Sequence, residues 1–211
     1  MTPDKAEHTI HRLEAFSDIV IGFCLAQLGL SLVLPKSATD MFSVWESTTF
    51  FISAFILIAV LWWLHHRTFR AFFVLNIPMI VLNFGLLCGL ILTLYFLESL
   101  MHVAGLGQNP ARFFVLFIFS FAFVYALVGA MLLTGFLARR SELPAAETRW
   151  AISQLTSILT AVLFGVIAGT IVAVRPNAAH IASTTIALSI AVVLLRRLVV
   201  RRWLDQKLGG T

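Results

Sequence analysis

Few polar side chains lie inside the apolar stretches of this chain, and each is costly to hold in lipid, so they mark where chemistry is to be sought. The first stretch opens Arg12-Leu13-Glu14-Ala15-Phe16-Ser17-Asp18 and later carries Gln27. The second ends Trp62-Trp63-Leu64-His65-His66-Arg67, and the third contains Asn83. A carboxylate, two imidazoles and an amide at one membrane face suit two roles. They can bond one another as a clamp that holds helices together, or Asp18 with His65 or His66 can pass protons or hold an ion. A metal centre is not expected, because adjacent histidines point about 100° apart on a helix and miss the i, i+4 spacing of a helical zinc site.

The elements that must position these groups follow from composition. Of 211 residues, 60% are hydrophobic and 12% are charged. Soluble domains carry roughly 25% charged residues, so this chain lacks the side chains to coat a water-facing surface and is expected to be an all-α integral membrane protein. Six apolar stretches, at about 15–34, 43–64, 74–100, 111–137, 151–174 and 179–195, match the roughly 20 residues that a spanning helix needs. They are too long for the roughly 10-residue strands of a membrane barrel. Pro35, Pro110, Pro144 and Pro176 punctuate the connections. Together they make one six-helix transmembrane domain over 1–211, with no room for a separate catalytic domain. Cys24 and Cys88 both lie inside apolar runs, which suits neither a disulfide framework nor a zinc cluster.

Positive charge sets the expected orientation. With both termini cytoplasmic, Lys5, Arg12, Arg67, Arg70, Arg139, Arg140, Arg149, Arg196, Arg197, Arg201, Arg202 and Lys207 fall inside, and Lys36, Arg112 and Arg175 outside. The start of the first span, the end of the second and the start of the third then share one face, where Asp18, a histidine and Asn83 are expected to meet. The N-terminal segment, interrupted by Asp4, Glu7, Glu14 and Asp18, does not read as a cleavable signal. The formal charge of +5 does not point to nucleic acid, since the basic residues stand at span ends against anionic headgroups. The tail from Arg196 to Trp203 reads as an interfacial anchor, with anionic lipid as a further partner.

Helical geometry separates the faces of the first span. At 100° per residue, Phe16, Phe23, Gln27 and Leu30 fall within about 60° of one another, with Ile19 at the edge. Ala15, Gly22, Ala26 and Gly29 form a second stripe of small residues, the type that lets helices approach closely in lipid. Around a symmetry axis the first stripe would give apolar constrictions at Phe23 and Leu30, with a polar layer at Gln27 between them. The same stripe also suits a lipid-facing or core surface on which Gln27 bonds a neighbouring helix.

Enzyme chemistry is not expected. His8, His11, His102, His180, Glu98 and Ser99 scatter over different connections, and no nucleophile elbow, phosphate loop or H-E-x-x-H motif occurs. A proton-coupled transporter using Asp18 with His65 or His66 is the alternative to a channel, although no pair of inverted repeats is evident.

Arg12-x-x-x-Phe16-Ser17-Asp18 resembles the R-x-x-x-F-S-D signature on the first helix of the endolysosomal and prokaryotic potassium-channel family, in the form of its bacterial branch. The Trp62 to Arg67 segment and Asn83 are similar to that family too, so that the resemblance spans about the first 85 residues. The family's proline-phenylalanine element late in helix three is replaced by Tyr95-Phe96-Leu97-Glu98. The resemblance implies a homotetramer without the usual selectivity loop, with the first helices around a leak-type pore for potassium, in the inner (plasma) membrane of a prokaryote. It implies no cofactor beyond the permeant ion. It assigns Arg12, Phe16, Ser17, Asp18, His65, His66 and Asn83 to a structural cluster, and the pore constrictions to Phe23, Gln27 and Leu30. Relatives mostly place aliphatic residues at those three layers and often carry threonine where Ala26 stands. Here an aromatic ring can seal the axis, and an amide can hydrate an ion.

Overall fold

A computed structural model describes residues 3–30, 32 and 41–176. They form five helices: α1 (Pro3–Leu30), α2 (Met41–Phe72), α3 (Ile77–Gly105), α4 (Ala111–Arg139) and α5 (Ala145–Val174). All five are long and apolar enough to cross a membrane. The expected sixth span, 179–195, and the basic tail lie outside the described residues.

All five helices run past their expected spans at one end or both, α4 by only two residues, because a helix need not stop where its apolar stretch does. α1 starts at Pro3 and includes the polar segment through Glu14, and α2 continues to Phe72 beyond the histidines. α5 begins at Ala145, directly after Pro144, and takes in the charged first turn with Glu147 and Arg149. α3 begins after Asn76, whose side chain accepts a hydrogen bond from the Met79 amide at 2.9 Å, and Pro78 sits in its first turn, where an N–H is dispensable. Its far end extends to Gly105 and closes with two capping bonds, Gln108 N to Val103 O at 3.2 Å and Gly107 N to Ala104 O at 2.9 Å. Gly107 takes φ +68° to make that turn, a conformation that side chains with a Cβ resist.

The chain divides into two compact units, the boundary falling inside α2 between Phe69 and Arg70. In the first unit α1 and α2 are antiparallel: Glu14 faces His66, Asp18 faces Trp62, and Gly29 lies by Phe51. Ser17, Ile21, Cys24 and Leu28 form the buried stripe of α1, and Ala54, Ile58, Leu61, His65 and Thr68 that of α2. Both stripes keep the three-to-four-residue spacing of one helix face.

In the second unit α4 packs against α3 and α5. Met79, Leu86, Val124, Val128, Met131 and Leu132 are almost wholly buried there. Lipid tails are as apolar as these side chains, so close packing and not water exclusion holds such helices together. Gly129 shows the tightness, since a Cβ on it would stand 2.9 Å from the Ile158 side chain on α5. The last turn of α2 belongs to this unit as well. A Cβ on Gly135 would run into the Phe72 carbonyl, Arg139 Nη1 donates to the Ala71 carbonyl at 2.9 Å, and the Trp150 ring stacks on Phe72 at 5.7 Å.

Candidate functional site

The polar cluster at the junction of α1 and α2 is built from two i, i+4 pairs. Glu14 and Asp18 lie one turn apart on α1, and Trp62 and His66 one turn apart on α2, so antiparallel packing sets each carboxylate against one ring. The Trp62 indole N–H donates to Asp18 Oδ1 at 2.8 Å. His66 Nδ1 stands 3.3 Å from Glu14 Oε1, and the other carboxylate oxygen of Glu14 is 3.7 Å from His11. The two α2 rings stack on each other with centroids 5.5 Å apart, which couples the two contacts into one layer. Arg67 continues this end of α2 outward by lying over the Trp63 ring at 5.7 Å.

The described partner of Asp18 is thus an indole, where an imidazole was expected. An indole donates but neither ionises at ordinary pH nor accepts at its nitrogen, so this contact offers a proton no path. The described imidazole partner is Glu14, which sequence reasoning left outside the cluster, as it did Trp62. The remaining members are placed as follows. Ser17 is fully buried and donates to the Leu13 carbonyl at 2.9 Å, within its own helix. His65 is buried with its ring 5.4 Å from Phe69. Phe16 is partly exposed, and Arg12 is exposed with no ion pair among the described residues. Asn83 is fully buried on α3, in the second unit. No group of three or more His, Cys, Asp or Glu side chains among the described residues is placed to hold a metal ion.

The stripes of α1 separate cleanly. Ile21, Cys24 and Leu28 are buried, whereas Phe23 is 71% and Leu30 80% exposed, and Gln27 is exposed between them. Ala15, Gly22 and Ala26 are exposed too, and a Cβ on Gly22 would meet nothing within 4 Å. The chain therefore packs α1 through a third face, Ser17-Ile21-Cys24-Leu28, that neither expected stripe includes. Among the described residues, Phe23, Gln27 and Leu30 and most of the small stripe are exposed, while Gly29 lies by Phe51.

The polar layer and the uncovered stripes all fall within one stretch of known likeness. Residues 12–93, which take in most of α1, all of α2 and half of α3, match the model of the family described as endosomal/lysosomal potassium channel TMEM175. TMEM175 is a family of ion channels and not of enzymes. The fold of the chain is similar, with a TM-score of 0.65 at 18% sequence identity, to a variant of the potassium channel MtTMEM175 crystallised with a nanobody–MBP fusion protein. That likeness covers 92% of this chain and 93% of the other. No curated protein matches the chain.

Proposed function

We propose that this protein is a homotetrameric, potassium-preferring leak channel whose pore is lined by α1, with Phe23, Gln27 and Leu30 as successive layers on the axis. One observation carries it: within the TMEM175-like stretch, α1 buries one face against its own chain, and a stripe of large apolar residues, interrupted by one amide, is exposed among the described residues. In a ring of four, Leu30 and Phe23 exclude water when close, and four Gln27 amides between them replace part of an ion's hydration shell. The small-residue stripe lies beside this face on α1 and lets neighbouring subunits approach. Constrictions of this kind need no selectivity loop. The whole chain, 1–211, acts as one six-helix domain, with both termini on the cytoplasmic side of a prokaryotic plasma membrane and the basic tail against anionic lipid.

The polar layer of Glu14, Asp18, Trp62 and His66, together with Arg12, Phe16, Ser17, His65 and Asn83, holds the first helices in register and takes no part in conduction. Potassium and sodium flux into liposomes tests this. Serine at Phe23 or alanine at Leu30 raises flux, and unchanged flux in well-assembled variants counts against the pore assignment.

A proton-coupled transporter is the second reading, and the Glu14 to His66 contact is what favours it. Because Asp18 is held by an indole, such a relay runs through Glu14 and His66. It requires pH-dependent uptake that Glu14→Gln abolishes and Leu30→Ala spares; flux that is independent of pH removes it.

A further inference from the structure

A second candidate site lies far along the chain from the polar layer, where the last turns of α3 meet the first turn of α4. A pocket of about 300 Å³ opens there, lined by Tyr95, Glu98, Ser99, His102, Val103 and Phe113. That volume is at the small end of the roughly 300–1,000 Å³ typical of ligand pockets. Tyr95, Glu98, Ser99 and His102 follow the i, i+3, i+4, i+7 spacing of one helix face, so a single rigid element presents all four. The Gly107 turn closes α3 directly beyond them, and α4 starts four residues later at Ala111, which fixes where Phe113 stands.

The chemistry of the lining is one-sided. Among the described residues that line it, Glu98 is the one carboxylate, which when ionised accepts hydrogen bonds without donating any. The Ser99 hydroxyl spends its proton on the Tyr95 carbonyl at 2.7 Å, which leaves oxygen lone pairs free to accept. His102 in its neutral form offers one acceptor nitrogen. Among the described residues no lysine or arginine lines the pocket, and Tyr95 and Phe113 bring aromatic rings to it. Acceptors, one negative charge and aromatic faces together suit a cation that is itself partly apolar. A bare metal ion is the poorer match, since no three His, Cys, Asp or Glu side chains converge there or elsewhere among the described residues.

We infer that this pocket binds an alkylammonium group, carried either by a free organic amine or by the headgroup of a lipid. Glu98 supplies the counter-charge, and Tyr95 and Phe113 contact the alkyl part and face the cation. The site is independent of the proposed pore, for it uses no α1 residue.

The test uses the full chain in nanodiscs of phosphatidylglycerol, whose headgroup has no ammonium, with choline as probe and saturation-transfer NMR read at its methyl protons. Glu98→Gln is expected to reduce the signal about five-fold, and Phe113→Leu about three-fold, as loss of a charge or of a cation–aromatic contact implies. Both variants are compared with the parent at matched elution volume. Phe113→Leu keeps the carboxylate and decides the matter if Glu98→Gln does not assemble. The uncharged isostere of choline, with tert-butyl in place of trimethylammonium, is expected to bind at least about five-fold more weakly. Equal signals from the parent and both variants, or from choline and its isostere, would overturn the inference. Repeating the titration in phosphatidylcholine nanodiscs separates the two sources: suppression of the choline signal identifies the lipid headgroup as occupant, and an undiminished signal identifies a free amine.

Discussion

Asp18 and Trp62 are paired by a hydrogen bond between α1 and α2. A carboxylate at the end of a membrane span needs a donor, and the indole N–H supplies one at 2.8 Å while its ring stacks on His66. Trp62→Phe removes the donor and keeps the ring. It is expected to cost about 1 kcal/mol, the order found for hydrogen bonds between membrane helices, read as a lower midpoint of thermal unfolding in detergent. Asp18→Asn still accepts from the indole and is expected to cost less, so equal losses in the two variants would show that the bond is not what matters. These partners were only half legible in the sequence. The Arg12 to Asp18 signature stands out as a run of costly groups, and the helix-two cluster stands out likewise. Pairing them by chemical type sets a histidine against Asp18. The observed pairing depends on the antiparallel register, and that register comes from the packing of Ser17, Ile21, Cys24 and Leu28, which no single polar residue announces.

Element boundaries and contacts follow the same division. Apolar length identifies the spans, and Pro110 directly precedes α4 as expected, whereas Pro144, read as part of a connection ahead of a span from 151, directly precedes α5. The turns beyond the apolar stretches were not legible, because helix propensity and caps, such as Asn76 and the Gly107 turn, decide them. Close helix contacts were missed for a different reason: a glycine in an apolar run does not reveal what approaches it. Gly135 meets the Phe72 carbonyl, a backbone atom that cannot rotate away. Gly135→Ala is therefore expected to destabilise by about 3 kcal/mol, the upper part of the usual overpacking range. Gly129→Ala meets the Ile158 Cγ2 methyl, a side-chain atom on a stiff branch, and is expected to cost less, about 2 kcal/mol. Unfolding midpoints of the two variants, measured side by side, check that order.

At the scale of the whole molecule, what remains uncovered matters more than what is packed. Among the described residues the third face of α1 is packed, while its Phe23-Gln27-Leu30 stripe and most of its small stripe are exposed. If they serve assembly, Gly22→Leu is expected to shift chemical crosslinking from tetramer to smaller species with helix content by circular dichroism unchanged, since the chain's own atoms leave room there. A tetramer that survives the bulky side chain would place the small stripe against lipid. The central claim, that the exposed stripe lines an ion pathway, is tested most directly by potassium and sodium flux into liposomes holding the parent protein or Leu30→Ala. The account predicts potassium-preferring flux that rises several-fold in the variant, as widening an apolar constriction lowers the barrier to wetting. Flux from a correctly assembled Leu30→Ala tetramer no greater than that of the parent would contradict it.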